Sequence, residues 1–154
     1  MTENAAPPTE DQMRCLAALA DAIIPPSEIY GVPGAGDPAI VAAILEDAGR
    51  RRGRVLQGLA DLDALAEAEH GARFADLSTA DRDVAAAAFR AGHSGIADRI
   101  ASLAAQCYYR DDRVMRSLGM EPRPPHPEGY KVPDGDWSLL DPVRRRDPLY
   151  RKAE

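Results

Sequence analysis

The side chains best suited to catalysis or metal binding are scarce in this sequence, which has three histidines and two cysteines among its 154 residues. His70, His93 and His126 stand neither at the i, i+4 spacing nor in the HExxH arrangement that helical metal sites use. Cys15 and Cys107 are too few and too far apart for a metal or haem motif. Because both cysteines fall at mostly apolar helical positions, we predict buried structural thiols, with a disulfide bridge as the alternative.

Motifs for nucleophilic or nucleotide chemistry are also missing from the sequence. It contains no GxSxG elbow. The glycine-rich stretch 31–36 precedes a predicted helix, but it follows no strand and lacks the dinucleotide-binding spacing. Carboxylate pairs such as Asp61 and Asp63 fall on polar helix faces. We therefore predict no catalytic, cofactor-binding or metal-binding residue in this chain; an independent enzyme that uses surface carboxylates or histidines is a competing hypothesis.

The composition favours a single small domain with a thin core. The chain has one Trp, five Tyr and two Phe, while alanine is abundant. Alanine favours helix but buries little apolar area. The net charge of -6 argues against nucleic acid as a partner, because phosphates require a basic surface. No stretch is apolar over the length of a membrane span, so none is predicted.

Capping signals and apolar stripes divide residues 1–120 into about six predicted helices. Helix starts are indicated at Thr9, Asp37, Ser78 and Asp111, and stops or bends at Pro25, Gly49, Gly71, Gly92 and Gly119. The stripes consist of Leu16, Leu19, Ala20 and Ile23; Ile40, Val41, Ile44 and Leu45; Leu56, Leu59, Leu62, Leu65 and Ala66; Val84, Ala88 and Phe89; Ile96, Ile100, Leu103, Ala104 and Cys107; and Val114, Met115 and Leu118. No segment alternates with period two, so the predicted fold is all-α, a compact helical bundle.

Residues 121–154 differ from this helical body. They hold seven of the thirteen prolines, which exclude a long helix, yet they also carry large apolar side chains such as Tyr130, Trp137 and Leu140. A disordered tail is usually poor in such residues. We therefore predict an extended Pro-rich C-terminal arm that lays apolar side chains on another surface, either the body or a partner.

Three elements of the body occur in an order and spacing typical of a known family. They are residues 16–25 (LAALADAIIP), residues 58–65 (GLADLDAL) with HG at 70–71 and FADLS at 74–78, and residues 108–114 (YYRDDRV) with LG at 118–119. Together they cover about residues 13–130 and resemble the gluconate 2-dehydrogenase subunit 3 family.

The resemblance implies a small, non-catalytic subunit that binds a large flavin-dependent oxidoreductase of the glucose-methanol-choline class. We expect such binding to stabilise the large chain and help it mature by mass action. In such complexes the large chain holds FAD and oxidises a sugar or sugar acid, and some complexes pass electrons to a multihaem cytochrome subunit. Many relatives carry a twin-arginine export signal, whereas none precedes Met13 here. We therefore expect a cytoplasmic complex, or a periplasmic one if the large chain carries the signal.

The residues expected to contact the large chain lie mostly in the arm. Trp137 and Tyr150 are the predicted anchors, because interface energy concentrates in buried Trp, Tyr and Arg. Tyr108 and Tyr109 come next, and at least one should face the core because adjacent helical residues point about 100° apart. The remaining predicted contacts are His126, Tyr130, Leu140 and Arg145.

A competing interpretation is a self-contained helical binding module whose arm folds back on its own body. Such a protein would be monodisperse and cooperatively stable alone, with Trp137 already buried.

Overall fold

The computed structural model describes residues 7–147, and the regular elements of that part of the chain are helices. The α-helices are α1 (Glu10–Ile23), α2 (Pro38–Asp47), α3 (Arg52–His70), α4 (Thr79–Gly92), α5 (Ser94–Arg110), α6 (Asp112–Ser117) and α7 (Asp141–Arg144). Short 3-10 helices occupy Gly49–Arg51, Phe74–Asp76 and Trp137–Leu140. Between residues 7 and 147 no strand forms, and β pairing is limited to one bridge between Ser27 and Val32. The predicted all-α fold is confirmed.

The predicted capping residues start their helices by direct hydrogen bonds. At α1 the Gln12 N–H donates to the Thr9 hydroxyl at 3.2 Å, and the Thr9 N–H donates to the Gln12 side chain at 2.9 Å. This reciprocal pair is the predicted capping box. The side chains of Asp37, Ser78 and Asp111 accept backbone N–H groups at the starts of α2, α4 and α6. The predicted helix starts are therefore confirmed.

Glycine ends two helices where the backbone turns left-handed. Gly71 after α3 has φ 74° and Gly119 after α6 has φ 73°. Glycine adopts this conformation without the steric cost that a Cβ would add. The stop or bend predicted at Gly49 is the 3-10 turn Gly49–Arg51 between α2 and α3.

Both α1 and α5 pack against α2, α3 and α4, and buried side chains of all five helices form the core. The two helices α3 and α5 approach closely at Gly58. A Cβ at this position would lie only 2.8 Å from the Ile96 side chain. The largest fully buried side chains are those of Phe74, Phe89, Leu16, Ile40, Ile44, Leu59, Leu62, Ile100, Leu103, Val41, Val55 and Val114.

The predicted inner face of α4 is confirmed at Phe89 and wrong at Val84. Val84 is exposed, while Ala85 and Phe89, one turn apart, are buried. Four consecutive alanines follow Val84, so the periodic signal that would have fixed the register of the buried face is weak there. Leu118 is likewise exposed, since α6 ends at Ser117.

The chain divides after Pro122 into two compact units, here called the helical unit and the C-terminal unit. No long helix forms among the described residues of the C-terminal unit, as the prolines predict. The expectation of an extended arm is nevertheless wrong for residues 137–144, which turn helically in a 3-10 helix followed by α7. Asp136 caps the 3-10 helix. Pro142 stands in the first turn of α7, where a backbone N–H would have no acceptor within the helix, so the proline breaks no hydrogen bond there.

Within residues 7–147, none of the helices combines the length and the apolar content that crossing a bilayer requires.

Candidate functional site

The residues with catalytic or metal-binding potential do not assemble into a centre in the described part of the chain. Between residues 7 and 147 no three His, Cys, Asp or Glu side chains come together in a way that could hold a metal ion. His93 joins α4 to α5 and stacks on Phe89, with ring centroids 5.0 Å apart. His70 ends α3 with its Nδ1 3.8 Å from the Asp81 carboxylate, and His126 is exposed in the C-terminal unit.

The two cysteines are free, buried thiols, as predicted. The Cys15 sulfur lies 3.7 Å from the Leu59 carbonyl, and the Cys107 sulfur lies 3.7 Å from the Asp47 carboxylate. Burial raises the pKa of both thiols, most strongly that of Cys15. A protonated, buried thiol is a poor nucleophile.

The adjacent tyrosines at the end of α5 point in different directions. Tyr108 is 5% exposed, whereas Tyr109 is 57% exposed. Their rings meet edge to face with centroids 5.2 Å apart. The prediction that at least one of the pair faces the core is confirmed, and Tyr109 has the larger surface to offer a partner.

The charged residues after these tyrosines brace the helical unit. Arg110 contacts Asp47 at 2.9 Å. Arg113 reaches both carboxylate oxygens of Asp37 at 2.9 and 3.0 Å and also contacts Asp111 at 2.9 Å. Hydrogen bonds from Arg113 hold the pKa of Asp37 and of Asp111 below the ordinary value. Because Asp37 caps α2 and Asp111 caps α6, the Arg113 guanidinium fixes two helix starts. Its contacts with these two carboxylates are here called the Arg113 brace.

The predicted partner contacts in the C-terminal unit are at its surface. Trp137 is 67% exposed, and Tyr130, Leu140, His126 and Arg145 are also exposed. Exposure alone does not show a contact, so their role stays a prediction. Tyr150 lies outside the described residues.

Local contacts hold Tyr130 in place. The Arg123 guanidinium lies over its ring, 5.0 Å from the centroid, and donates to the Gly129 carbonyl at 2.6 Å. The Tyr130 hydroxyl donates to the Arg123 carbonyl. One face of the tyrosine is therefore already covered within residues 123–130.

The structure brings Trp137 and Leu140 together on one edge of a turn. In a 3-10 helix, residues three apart are eclipsed, so these two side chains project to the same side. Asp136 fixes the turn by accepting the Ser138 N–H at 3.0 Å and the Ser138 hydroxyl at 2.6 Å. These hydrogen bonds hold the pKa of Asp136 below its ordinary value.

A family model described as gluconate 2-dehydrogenase subunit 3 matches residues 10–118. The chain belongs to this family. The predicted family is thus confirmed, and membership makes the chain a subunit of a dehydrogenase complex. No curated protein and no solved structure matches the chain.

The part matched to the subunit 3 family coincides with the helical unit. It begins at the first residue of α1 and ends at Leu118, which caps α6, rather than near Tyr130 as the sequence elements suggested. Arg110 and the Arg113 brace lie inside the matched part, whereas Trp137 and Leu140 lie outside it. Family membership therefore describes the helices and not the C-terminal unit.

One exposed apolar feature of the family-matched part escaped the sequence reasoning. The loop Ser27–Val32 presents Ile29 at 91% exposure and Tyr30 at 65% exposure. In the sequence, the glycine-rich stretch 31–36 that follows Ile29 and Tyr30 is the more conspicuous feature. The sequence does contain a pattern that indicates this exposed pair, namely two large apolar residues at the centre of a loop bounded by proline and glycine.

Proposed function

We propose that this chain is the non-catalytic small subunit of a complex whose large chain is an FAD-dependent dehydrogenase acting on a sugar or sugar acid. In this proposal the chain binds the folded large chain, stabilises it and assists its maturation. FAD belongs to the large chain, and a cytochrome subunit is a further potential member of the complex. Membership of a dehydrogenase subunit family supports the partnership.

The observation that carries the proposal is the surface of the C-terminal unit. Its large apolar side chains are exposed, and none of its residues up to 147 is buried. The exposed apolar residues are Tyr130, Val132, Trp137, Leu139, Leu140 and Val143. A concentration of this kind on 25 residues is typical of a surface that another protein covers.

The prolines of this segment favour binding as well. Pro124, Pro125, Pro127, Pro133 and Pro142 restrict the unbound backbone, so less conformational freedom is lost on docking. Binding the native large chain but not its unfolded form shifts the folding equilibrium by mass action, by about 2.7 kcal/mol when the free subunit is at a hundred times its Kd. This effect accounts for stabilisation without any chemistry in the small chain.

The first experiment compares the large chain produced alone with the large chain produced together with this protein. We expect the large chain alone to be poorly soluble or low in flavin content and activity, and coexpression to restore all three. A large chain that is fully soluble, flavin-loaded and active by itself would contradict the proposal. A turnover assay of the small chain alone, with a sugar and a dye acceptor, tests the independent-enzyme hypothesis, and cell fractionation tests the expected cytoplasmic location.

A second experiment tests the part played by the C-terminal unit. The double variant Trp137→Ala/Leu140→Ala removes the aligned pair, and Val84→Ala, an exposed apolar residue on α4, is the control. We expect the double variant to shorten the lifetime of the complex by about tenfold or more while Val84→Ala leaves it unchanged. If the double variant instead destabilises the isolated chain, the competing self-contained module is favoured.

A further inference from the structure

The loop Ser27–Val32, here called the Ile29 loop, is a rigid structure and not a loose connection. The N–H groups of Ser27 and Val32 each donate to the other residue's carbonyl at 3.1 Å. The Gly31 N–H donates to the Glu28 carbonyl at 3.2 Å, and Gly31 has φ 61°. This left-handed turn closes the loop tightly, and Ile29 and Tyr30 stand at its tip.

The residues that follow lock the Ile29 loop onto α1. The Gly36 N–H donates to the Asp21 carboxylate at 2.7 Å, and the Ala35 N–H donates to the Ile24 carbonyl at 2.9 Å. A Cβ on Gly36 would clash with the Ala17 carbonyl oxygen, and a Cβ on Gly34 would stand 2.9 Å from the Pro26 backbone nitrogen. Both positions therefore require glycine, and the backbone of the loop base lies directly against the helix.

This rigidity does not serve the burial of Ile29 or Tyr30. Val32 and Ala35 are buried, so the loop contributes to the core through its base, whereas its tip projects two large apolar side chains into solvent. A single exposed apolar residue is common on protein surfaces. Two adjacent ones held at the tip of a fixed loop are pre-organised for binding, since little backbone freedom remains to be lost.

The position of the loop in the family match indicates what covers it. The residues that match the dehydrogenase subunit family, 10–118, contain the Ile29 loop, whereas the C-terminal unit lies outside them. Among the large apolar side chains exposed in the matched part, Ile29 and Tyr30 are the two most exposed.

We infer that the Ile29 loop is a docking knob whose Ile29 and Tyr30 side chains enter an apolar pocket on the large dehydrogenase chain. This inference rests on the proposed function and adds to it a contact made by the helical unit itself. The tyrosine hydroxyl reaches the rim of the pocket, where a polar group or water can accept its hydrogen bond.

Photo-crosslinking tests the contact directly. The full-length chain carrying Tyr30→p-benzoylphenylalanine is produced with the large chain, and the flavin-containing complex is purified and irradiated. The matched control carries the same substitution at Val84, on α4. We expect a covalent adduct between the two chains from position 30, mapped by mass spectrometry to an apolar pocket, and none from position 84. An intact complex with no adduct from position 30, or with equal adducts from both positions, overturns the inference.

A substitution experiment adds a quantitative outcome. Ile29→Ser/Tyr30→Ser removes the apolar tip, and Val84→Ser is the control. We expect the dissociation rate of the flavin-containing chain to rise about tenfold or more for the double variant and to stay within about twofold for the control. The melting temperature of the isolated variant should stay at the wild-type value, since neither side chain is buried. An unchanged dissociation rate would remove the loop from the interface.

The same preparations separate the two proposals. If no flavin-containing chain co-purifies with the wild-type protein, the proposed function fails and the docking knob fails with it. If the complex forms and survives the loop variants unchanged, only the docking knob is lost.

Discussion

In the helical unit Phe74 and Phe89 are fully buried among six helices, whereas in the C-terminal unit Trp137 and Leu139 stand in solvent on a four-residue 3-10 helix. The first unit is held by packing, capping residues and the Arg113 brace. The second is held by short-range hydrogen bonds, such as those of Asp136 and Arg123. The same kind of side chain therefore serves folding in one unit and remains available for binding in the other.

This difference indicates where the stability of the chain resides. Burial of apolar area is the main favourable term in folding, and the C-terminal unit has no buried residue between 123 and 147. Short helices without tertiary packing are marginal in water. We expect the helical unit to unfold as one cooperative transition to which the C-terminal unit contributes little.

The largest expected effect comes from truncating one aromatic residue in each unit. Phe89→Ala should lower the free energy of unfolding by about 3–5 kcal/mol, because it leaves a cavity in the core. Trp137→Ala removes a larger side chain but should change the same quantity by less than about 0.5 kcal/mol, because Trp137 is exposed. Urea denaturation followed by far-UV circular dichroism measures both. Similar losses from the two variants would show that the C-terminal unit belongs to the folding core.

A smaller effect is expected from the Arg113 brace. Arg113→Met removes the guanidinium that contacts Asp37 and Asp111, and we expect a loss of about 1 kcal/mol at neutral pH, since Arg113 is nearly half exposed and solvent screens its charge. Arg116→Met is the matched control on the same helix, because its pair with Asp112 is exposed on both sides. The control should lose less than half as much.

The Arg113 contribution should also depend on pH. Arg113 lowers the pKa of Asp37 and Asp111 in the folded state, so their stabilisation is complete above the unfolded value of about 3.9 and is lost as the pH falls through the lower folded values. The difference between wild type and Arg113→Met should therefore shrink below about pH 4. A constant difference between pH 7 and pH 3 would contradict the assigned cause.

The helix boundaries of the helical unit could be predicted because local chemistry sets them. The hydroxyl of Thr9, the carboxylates of Asp37 and Asp111, and the backbone of Gly71 act on neighbours within a few residues. Such effects are visible in the sequence before any tertiary contact is known.

Features that depend on long-range contacts could not be predicted. Arg113 meets Asp37 across 76 positions of sequence, and nothing local distinguishes it from the neighbouring arginines. Val84 was misassigned because the alanines after it carry little periodic information. The Ile29 loop was missed because its rigidity comes from Asp21 and from the close approach of Gly36 to α1, which only the fold reveals.

The most closely matched comparison uses two glycines with nearly equal backbone angles. Gly71 ends α3 with φ 74° and Gly129 lies in the C-terminal unit with φ 69°, and a Cβ on either would meet no atom within 4 Å. An alanine at each position therefore carries the same backbone penalty, about 1 kcal/mol, without a steric clash. Gly71→Ala should lower the stability of the helical unit by that amount, seen by circular dichroism. Gly129→Ala should leave that transition unchanged and alter only the fluorescence of Trp137, the single tryptophan, which reports on its own unit. Equal shifts of the helical transition in both variants would mean that the two units fold together, and the distinction between a folding surface and a binding surface would then be lost.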